Sequence, residues 1–232
     1  MGEPRATARE ANATVSDPEG AVPEGQSGQA PSTRRVGGKT SQTRALILNS
    51  TEQLMVEEGY AAVTYRHVAA RAGIGSALVQ YYFPTLDSLF IALLRWHSER
   101  DLLMLSRLLE KHTEGPLRAI WEYSRDEATS AIMMEFLALG NHRKAIRAEI
   151  ADFGQRTREV ELAALAKFAD RYQLGGKELS PSTLLFLLSG IPKMMLIEGD
   201  LGLDTGHAGT LSLVEELLDQ LESLPPEQAP DR

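Results

Sequence analysis

Cysteine is absent from the 232 residues, which excludes disulfides and thiolate metal sites and makes a reducing compartment the natural setting. β-Branched runs are also scarce while Leu, Ala, Arg and Glu abound, so the composition leans towards helix. The opening MGEPRATARE carries no apolar stretch, and no secretory signal is expected. The longest apolar run, Leu184 to Ile197 (LLFLLSGIPKMMLI), falls short of the roughly 20 residues of a spanning helix and holds Pro192 and Lys193. A soluble, cytoplasmic protein without a membrane partner is the expectation. Hydrophobic residues make up 43% of the chain, enough for one or two ordinary cores.

Motifs of enzymes are missing too. None of the five histidines has Glu three residues before it, so neither E-x-x-H nor H-E-x-x-H occurs, and G-x-S-x-G is absent. GGKTS at 37–41 would need Gly at 33 to be a phosphate loop, and Thr33 stands there. No strand pair, GxGxxG or fixed-period repeat is expected. The reading is therefore not an enzyme, with no cofactor and no metal.

What is present is an uneven charge. The formal total is −8, yet from Arg34 to Arg100 eight Lys/Arg face five Asp/Glu, whereas from Asp101 onward 14 face 22. A mildly basic segment inside an acidic chain is compatible with a nucleic-acid module carried by a body of another purpose. Residues 1–40, rich in Pro, Gly, Ser, Ala and Glu, contain almost no large apolar side chain and read as a disordered N-terminal arm. That arm ends in Arg34, Arg35 and Lys39, which could follow a minor groove or simply solubilise. Residues 225–232 read as a disordered tail.

From Ser41 the pattern is helical. Leu46, Ile47, Leu54 and Met55 form a stripe that Gly59 ends. Thr64 suits an N-cap for YRHVAARA, and Gly73 stops that helix after two turns. A second short helix spans about Ser76 to Tyr82. A long one follows Pro84-Thr85, with Asp87 in its first turn and Leu89, Leu93, Trp96, Leu103 and Leu108 as its buried face, until Gly115-Pro116 breaks it. Five more helices are expected at about 117–124, 127–139, 142–172, 181–198 and 208–223. GGKELSP at 175–181 and GDLGLDTGH at 199–207 read as loops.

Two short helices around a glycine turn are the geometry of a helix-turn-helix, whose second helix lies in the major groove. That second helix ends in consecutive rings at Tyr81, Tyr82 and Phe83. Neighbouring positions point about 100° apart, so three rings cannot all face one core.

The run from Ser41 to about Leu94 resembles the N-terminal domain of the TetR family of bacterial transcriptional regulators. The matching features are TRxxIL at Thr43, ExGY at Glu57 to Tyr60, the Thr64 cap, VAxxAGI at Val68 to Ile74, the aromatic cluster ending in Phe83-Pro84, and Leu89. The resemblance implies an all-α fold: a three-helix helix-turn-helix domain at 41–100 (motif at about 64–83), joined to a larger helical ligand-binding and dimerisation domain at 101–224, about nine helices in total. It implies that Val79 and Phe83 pack inward and that Ser76, Ala77, Leu78 and Tyr81 face base edges. Gln80 and Tyr82 would then lie against phosphates. Tyr65, Arg66, Gly75 and Thr85 join them as DNA-binding candidates, with Arg34, Arg35 and Lys39 from the arm. Two positions depart from the family: Gln80 stands where Tyr is usual, and Leu86 where a phosphate-binding Lys is usual.

The partners implied are double-stranded DNA, a second copy of the chain, and a small-molecule effector. Candidate interface residues are Leu184, Leu187, Leu188, Ile191, Met195, Leu211, Val214, Leu217, Leu218 and Leu221. Candidate pocket residues are Trp121, Tyr123, Met133, Met134, Phe136, Leu137, Asn141, Phe153 and Phe168, since Met and aromatic side chains make adaptable walls. The expected function is a ligand-responsive repressor that binds an inverted repeat as a homodimer. A second reading keeps the helices and the ligand but lets the helix-turn-helix, altered at Gln80 and Leu86, bind no specific DNA.

Overall fold

A computed structural model describes residues 33–222, with side chains described except at 33–39 and 127–130. The expectations for 1–32 and 225–232 lie outside the described residues. The order is α1 (Thr33–Glu58), a 3-10 turn at Tyr60–Ala62, α2 (Tyr65–Ala72), α3 (Ser76–Tyr82), α4 (Leu86–Lys111), α5 (Pro116–Ser124), α6 (Glu127–Gly140) and α7 (Lys144–Ala166). A second 3-10 turn at Ala169–Arg171 precedes β1 (Gln173–Leu174) and β2 (Lys177–Glu178), and then come α8 (Pro181–Asp200) and α9 (His207–Glu222). Among the described residues the fold is all-α apart from that small hairpin.

Capping chemistry sets several of the boundaries among the first four helices. Gly59 and Gly73 take φ of 81° and 66°, which only glycine adopts without strain. The Thr64 hydroxyl accepts from the His67 N–H at 3.2 Å and starts α2. At α4, Thr85 and Ser88 form a reciprocal capping box.

Two cores result. The first joins Ile47, Leu48, Met55, Val68, Val79, Phe83, Leu89 and Leu93 to Ile132 and Phe136 of α6 and Ile146 of α7. The second gathers Leu117, Ile120 and Trp121 of α5 with Leu184, Leu185 and Leu188 of α8 and Val214, Leu218 and Leu221 of α9. The first core thus mixes the small N-terminal unit with the body, and α4 runs unbroken through the boundary expected at residue 100.

Several expectations are corrected. α1 begins at Thr33, so Arg34, Arg35 and Lys39 stand on a helical backbone and not on an arm; extending a formed helix adds one hydrogen bond per residue, which the arm's composition concealed. Leu46 is exposed and Leu48 buried in its place, because the inward stripe runs 47, 48, 51, 54 and 55. Leu103 is also exposed and Leu105 buried; the α4 stripe passes through Asp101, and a residue two places on lies across the helix. The helix expected to reach 172 ends at Ala166, and the segment after it forms the hairpin. Gly175 and Gly176, with φ of 58° and 75°, make the two-residue turn that pairs Leu174 with Lys177. α8 has 20 residues and is long and apolar enough to cross a membrane, but Leu184, Leu185 and Leu188 bury one of its faces in the second core.

The α4 stripe turns polar at its middle. His97 is 4% exposed, with Nδ1 3.1 Å from Glu52 Oε1 of α1 and Nε2 2.9 Å from Asp101 Oδ2. The Asp101 contact lies off the hydrogen-bond axis, so it acts as an ion pair. Burial alone would lower the His97 pKa, but Asp101 and Glu52 outweigh it and push it up to about 9. A raised pKa adds stability that is complete below the unfolded value of 6.5 and is lost as pH climbs through about 9. Thermal melts of the native chain should therefore fall between pH 6.5 and 9. His97→Gln should melt lower at pH 6.5 by an amount worth at most about 3 kcal/mol and show a flatter profile across that window. A native profile already flat there would refute the ion pair.

Candidate DNA-binding surface and effector cavity

α3 shows which ring goes where. Val79 is fully buried and Phe83 3% exposed, both in the first core, while Tyr81 is 78% exposed. Tyr82 is half-buried against that core, its ring edge-on to Tyr81 with centroids 5.5 Å apart. Ser76, Ala77, Leu78 and Gln80 are exposed alongside Tyr81. Burying Val79 and Phe83 makes the register of the helix unambiguous, and the remaining positions must then face solvent. Arg66 at the start of α2 and Gly75, the N-cap of α3, are also exposed.

Two candidates are occupied differently from expectation. The Tyr65 hydroxyl donates to the Phe83 carbonyl at 2.9 Å, so its one hydrogen is spent tying α2 to the end of α3 and is not free for a phosphate. This corrects its role from contact to positioning. The Thr85 hydroxyl accepts from the Ser88 N–H at 3.0 Å, which leaves its own hydrogen available. Leu86 is half-buried and packs on the first core, which accounts for an apolar residue at that position. Arg44 lies 5.5 Å over the Phe83 ring at the end of α3, a cation that the sequence reading did not single out.

The head is fastened to the body through α6 and α7. The Tyr60 N–H donates to Glu135 Oε2 of α6 at 2.6 Å. Asp87 pairs with Arg143 in the turn before α7, and Arg95 grips Glu149 of α7 through two bonds of 2.7 Å.

A cavity of about 240 Å³ lies between α5, α6, α7 and α8. Tyr123, Met133, Leu137 and Phe153 line it, as the sequence suggested. The other pocket candidates do not. Trp121 and Phe136 are sealed in the two cores, and the Trp121 Nε1–H donates to Glu215 of α9 at 3.0 Å. Phe168 packs on the second core under Arg171. Met134 is half-buried away from the cavity, and Asn141 is exposed, accepting from Arg147 at 3.4 Å. A helical stripe contains core and pocket residues alike, and only the crossing of four helices separates them. The same crossing brings in residues that sequence reading passed over: Ile150, Thr157, Arg158, Glu161, Ser189 and Lys193. Glu161 is 4% exposed, and burial pushes its pKa up to about 7. A glutamate on an otherwise charged α7 gave no signal of this.

The expected interface also needs correction. Leu184, Leu188, Val214, Leu218 and Leu221 are 2–6% exposed within one chain, and Ile191 and Leu211 pack on the same core. Met195 lines a different cleft, next to His207, and Leu217 is half-buried. Of the expected set only Leu187 is exposed, at 48%. The apolar residues that α8 shows to solvent are instead Phe186 (67%), Leu187, Met194 (56%) and Ile197 (38%), with Gly190 between them; α9 adds Leu213 (55%).

Residues 47–93 match the family described as bacterial regulatory proteins, tetR family. No curated protein matches the chain. Its fold is that of a transcriptional regulator from Rhodococcus sp. Rha1, with 20% identity over 78% of this chain and 92% of that one and a TM-score of 0.56. It is also that of a TetR transcription regulator from Haloarcula marismortui, with 18% identity, 79% and 92% coverage and a TM-score of 0.56. The multidrug binding protein EbrR complexed with imidazole shares 23% identity over 81% of this chain and 98% of its own, with a TM-score of 0.53. The N-terminal unit, built around an α3 that buries Val79 and displays Tyr81, is thus the part of this chain that matches the tetR family of bacterial regulatory proteins.

Proposed function

We propose that the chain is a ligand-responsive repressor that binds an inverted-repeat operator as a homodimer. The observation that carries this reading is Tyr81: a ring 78% exposed on a seven-residue helix whose inward face is already filled. Ser76, Ala77, Leu78 and Tyr81 read base edges, the tyrosine ring pressing on a thymine methyl. Gln80, Tyr82, Arg66, Gly75 and Thr85 lie along phosphates. Residues 41–100 serve as the reading head and 101–224 as the regulatory and dimerising part, with α4 common to both. One head makes too few base contacts for strong specificity, so the exposed α8 face joins two copies about a twofold axis.

The route from ligand to head runs through α6. Met133 and Leu137 face the cavity while Ile132 and Phe136 of the same helix sit in the first core, and Glu135 holds the Tyr60 N–H. A ligand that fits one position of α6 better than another shifts the heads relative to the half-site spacing, by no more than its differential affinity for the two states. Selection of genomic fragments followed by footprinting tests the reading: an inverted repeat protected on one face of the duplex is expected, and an absent footprint would leave a helical ligand-binding protein.

Arg34, Arg35 and Lys39, on the N-terminal turns of α1, supply cations for phosphates. Each phosphate neutralised adds about 0.9 to the slope of log affinity against log salt. Replacing all three with Ala should weaken binding at low salt and flatten the slope by roughly 2–3 per bound chain. An unchanged slope would remove them from the mechanism.

A further inference from the structure

The cavity between α5, α6, α7 and α8 is apolar along its walls and charged at one end. Met133, Leu137, Ile150 and Phe153 make the walls, and Arg158, Glu161 and Lys193 converge at the end. Glu161 is the most enclosed of the three, at 4% exposed, and among the described residues no hydrogen bond reaches its carboxyl. Around it, α5 contributes Tyr123, α7 contributes Arg158, and α8 contributes Lys193; the described residues of α6 that face it are apolar.

We propose that this cavity takes an amphipathic organic monoanion, a carboxylate on an apolar body, seated between Arg158 and Lys193 with the Glu161 carboxyl donating a hydrogen bond to it. The inference rests on the reading of this cavity as the effector site and adds the chemical class of the effector. Charge decides the class. Two cations face the cavity against one carboxyl, so its charged end is positive, and more so when Glu161 carries its proton. Lys193 is open to solvent over much of its surface, but crowding by protein around its ammonium pulls its pKa below the ordinary range while Glu161 holds it up. An incoming anion repays that desolvation; an incoming cation meets two like charges. A carboxylic acid and a carboxylate side by side share one proton comfortably, whereas two ionised carboxylates repel.

The proton gives the test its sign. Glu161, at about 7, is partly ionised at neutral pH, so an anion placed beside it raises its pKa and draws a proton from the buffer. A cation placed there lowers the pKa and releases one. Calorimetry with octanoate, 1-octanol and octylammonium, each at pH 7 in phosphate and in Tris, reads both affinity and proton count. Octanoate should bind about tenfold tighter than either analogue, with uptake of roughly half a proton. Lys193→Met should weaken octanoate about tenfold, and Glu161→Gln should abolish the proton uptake. Tightest binding by octylammonium, proton release, uptake that survives in Glu161→Gln, or no binding by any of the three probes would overturn the proposal. Genomic-fragment binding by the ligand-free protein is measured separately, so a failed ligand result with an intact footprint sinks this inference alone.

Discussion

Tyr81→Ala should lower affinity for the selected operator by about a hundredfold or more while leaving the fold intact. A good base-edge contact is worth about 1–3 kcal/mol of discrimination, and a dimer makes it twice. Because Tyr81 is 78% exposed and its contact within the chain is the edge of Tyr82, the melting temperature should move no more than an ordinary surface substitution allows, about 0.5 kcal/mol. Val79→Ala supplies the contrast. Val79 is fully buried, so that change should cost about 1–3 kcal/mol of stability, with DNA binding falling only as the head unfolds. Gel-shift titrations paired with thermal melts separate the two. If Tyr81→Ala bound the operator as well as the native chain, α3 would not be the reading helix, and the repressor assignment would fall with it.

Phe186→Glu should convert the proposed dimer to monomer at micromolar concentration and remove most of the operator affinity. Phe186, Leu187, Met194 and Ile197 form an exposed apolar face on a helix whose opposite side is already packed, and a carboxylate at its centre would be desolvated without a partner on association. Losing the second head removes an effectively intramolecular binding event, a penalty of about 10²–10⁴ in affinity. Leu184→Ala is the control for where the interface lies. Leu184 is 6% exposed within one chain, so it should cost about 2–5 kcal/mol of stability and leave the sedimentation of the folded fraction dimeric. Sedimentation velocity with melts distinguishes these outcomes. A Phe186→Glu protein that remained dimeric would move the interface elsewhere.

The limits of reading the chain are clearest along α8. Its hydrophobic residues surround the axis, so periodicity could say that the helix is covered on several sides but not by what. Leu184 and Leu188 meet α5 and α9 of their own chain, while Phe186 and Met194 meet solvent. The same ambiguity misassigned Trp121 and Phe136 to a pocket, since a large apolar side chain on an inward face looks alike whether it seals a core or lines a void.

The sequence by itself determined the reading head. Thr64, Gly73 and Thr85 act through hydrogen bonds and φ angles that reach only three or four residues, so the lengths of α2 and α3 follow from local order, and the resemblance carried by those residues implied an inward Val79. Tertiary structure alone decided the cavity, its carboxyl and the outward face of α8. Glu161, Lys193 and Tyr123 come from three helices far apart in the chain, and burial, which sets both the exposed patch and the Glu161 pKa, depends on what packs alongside and not on which residue comes next.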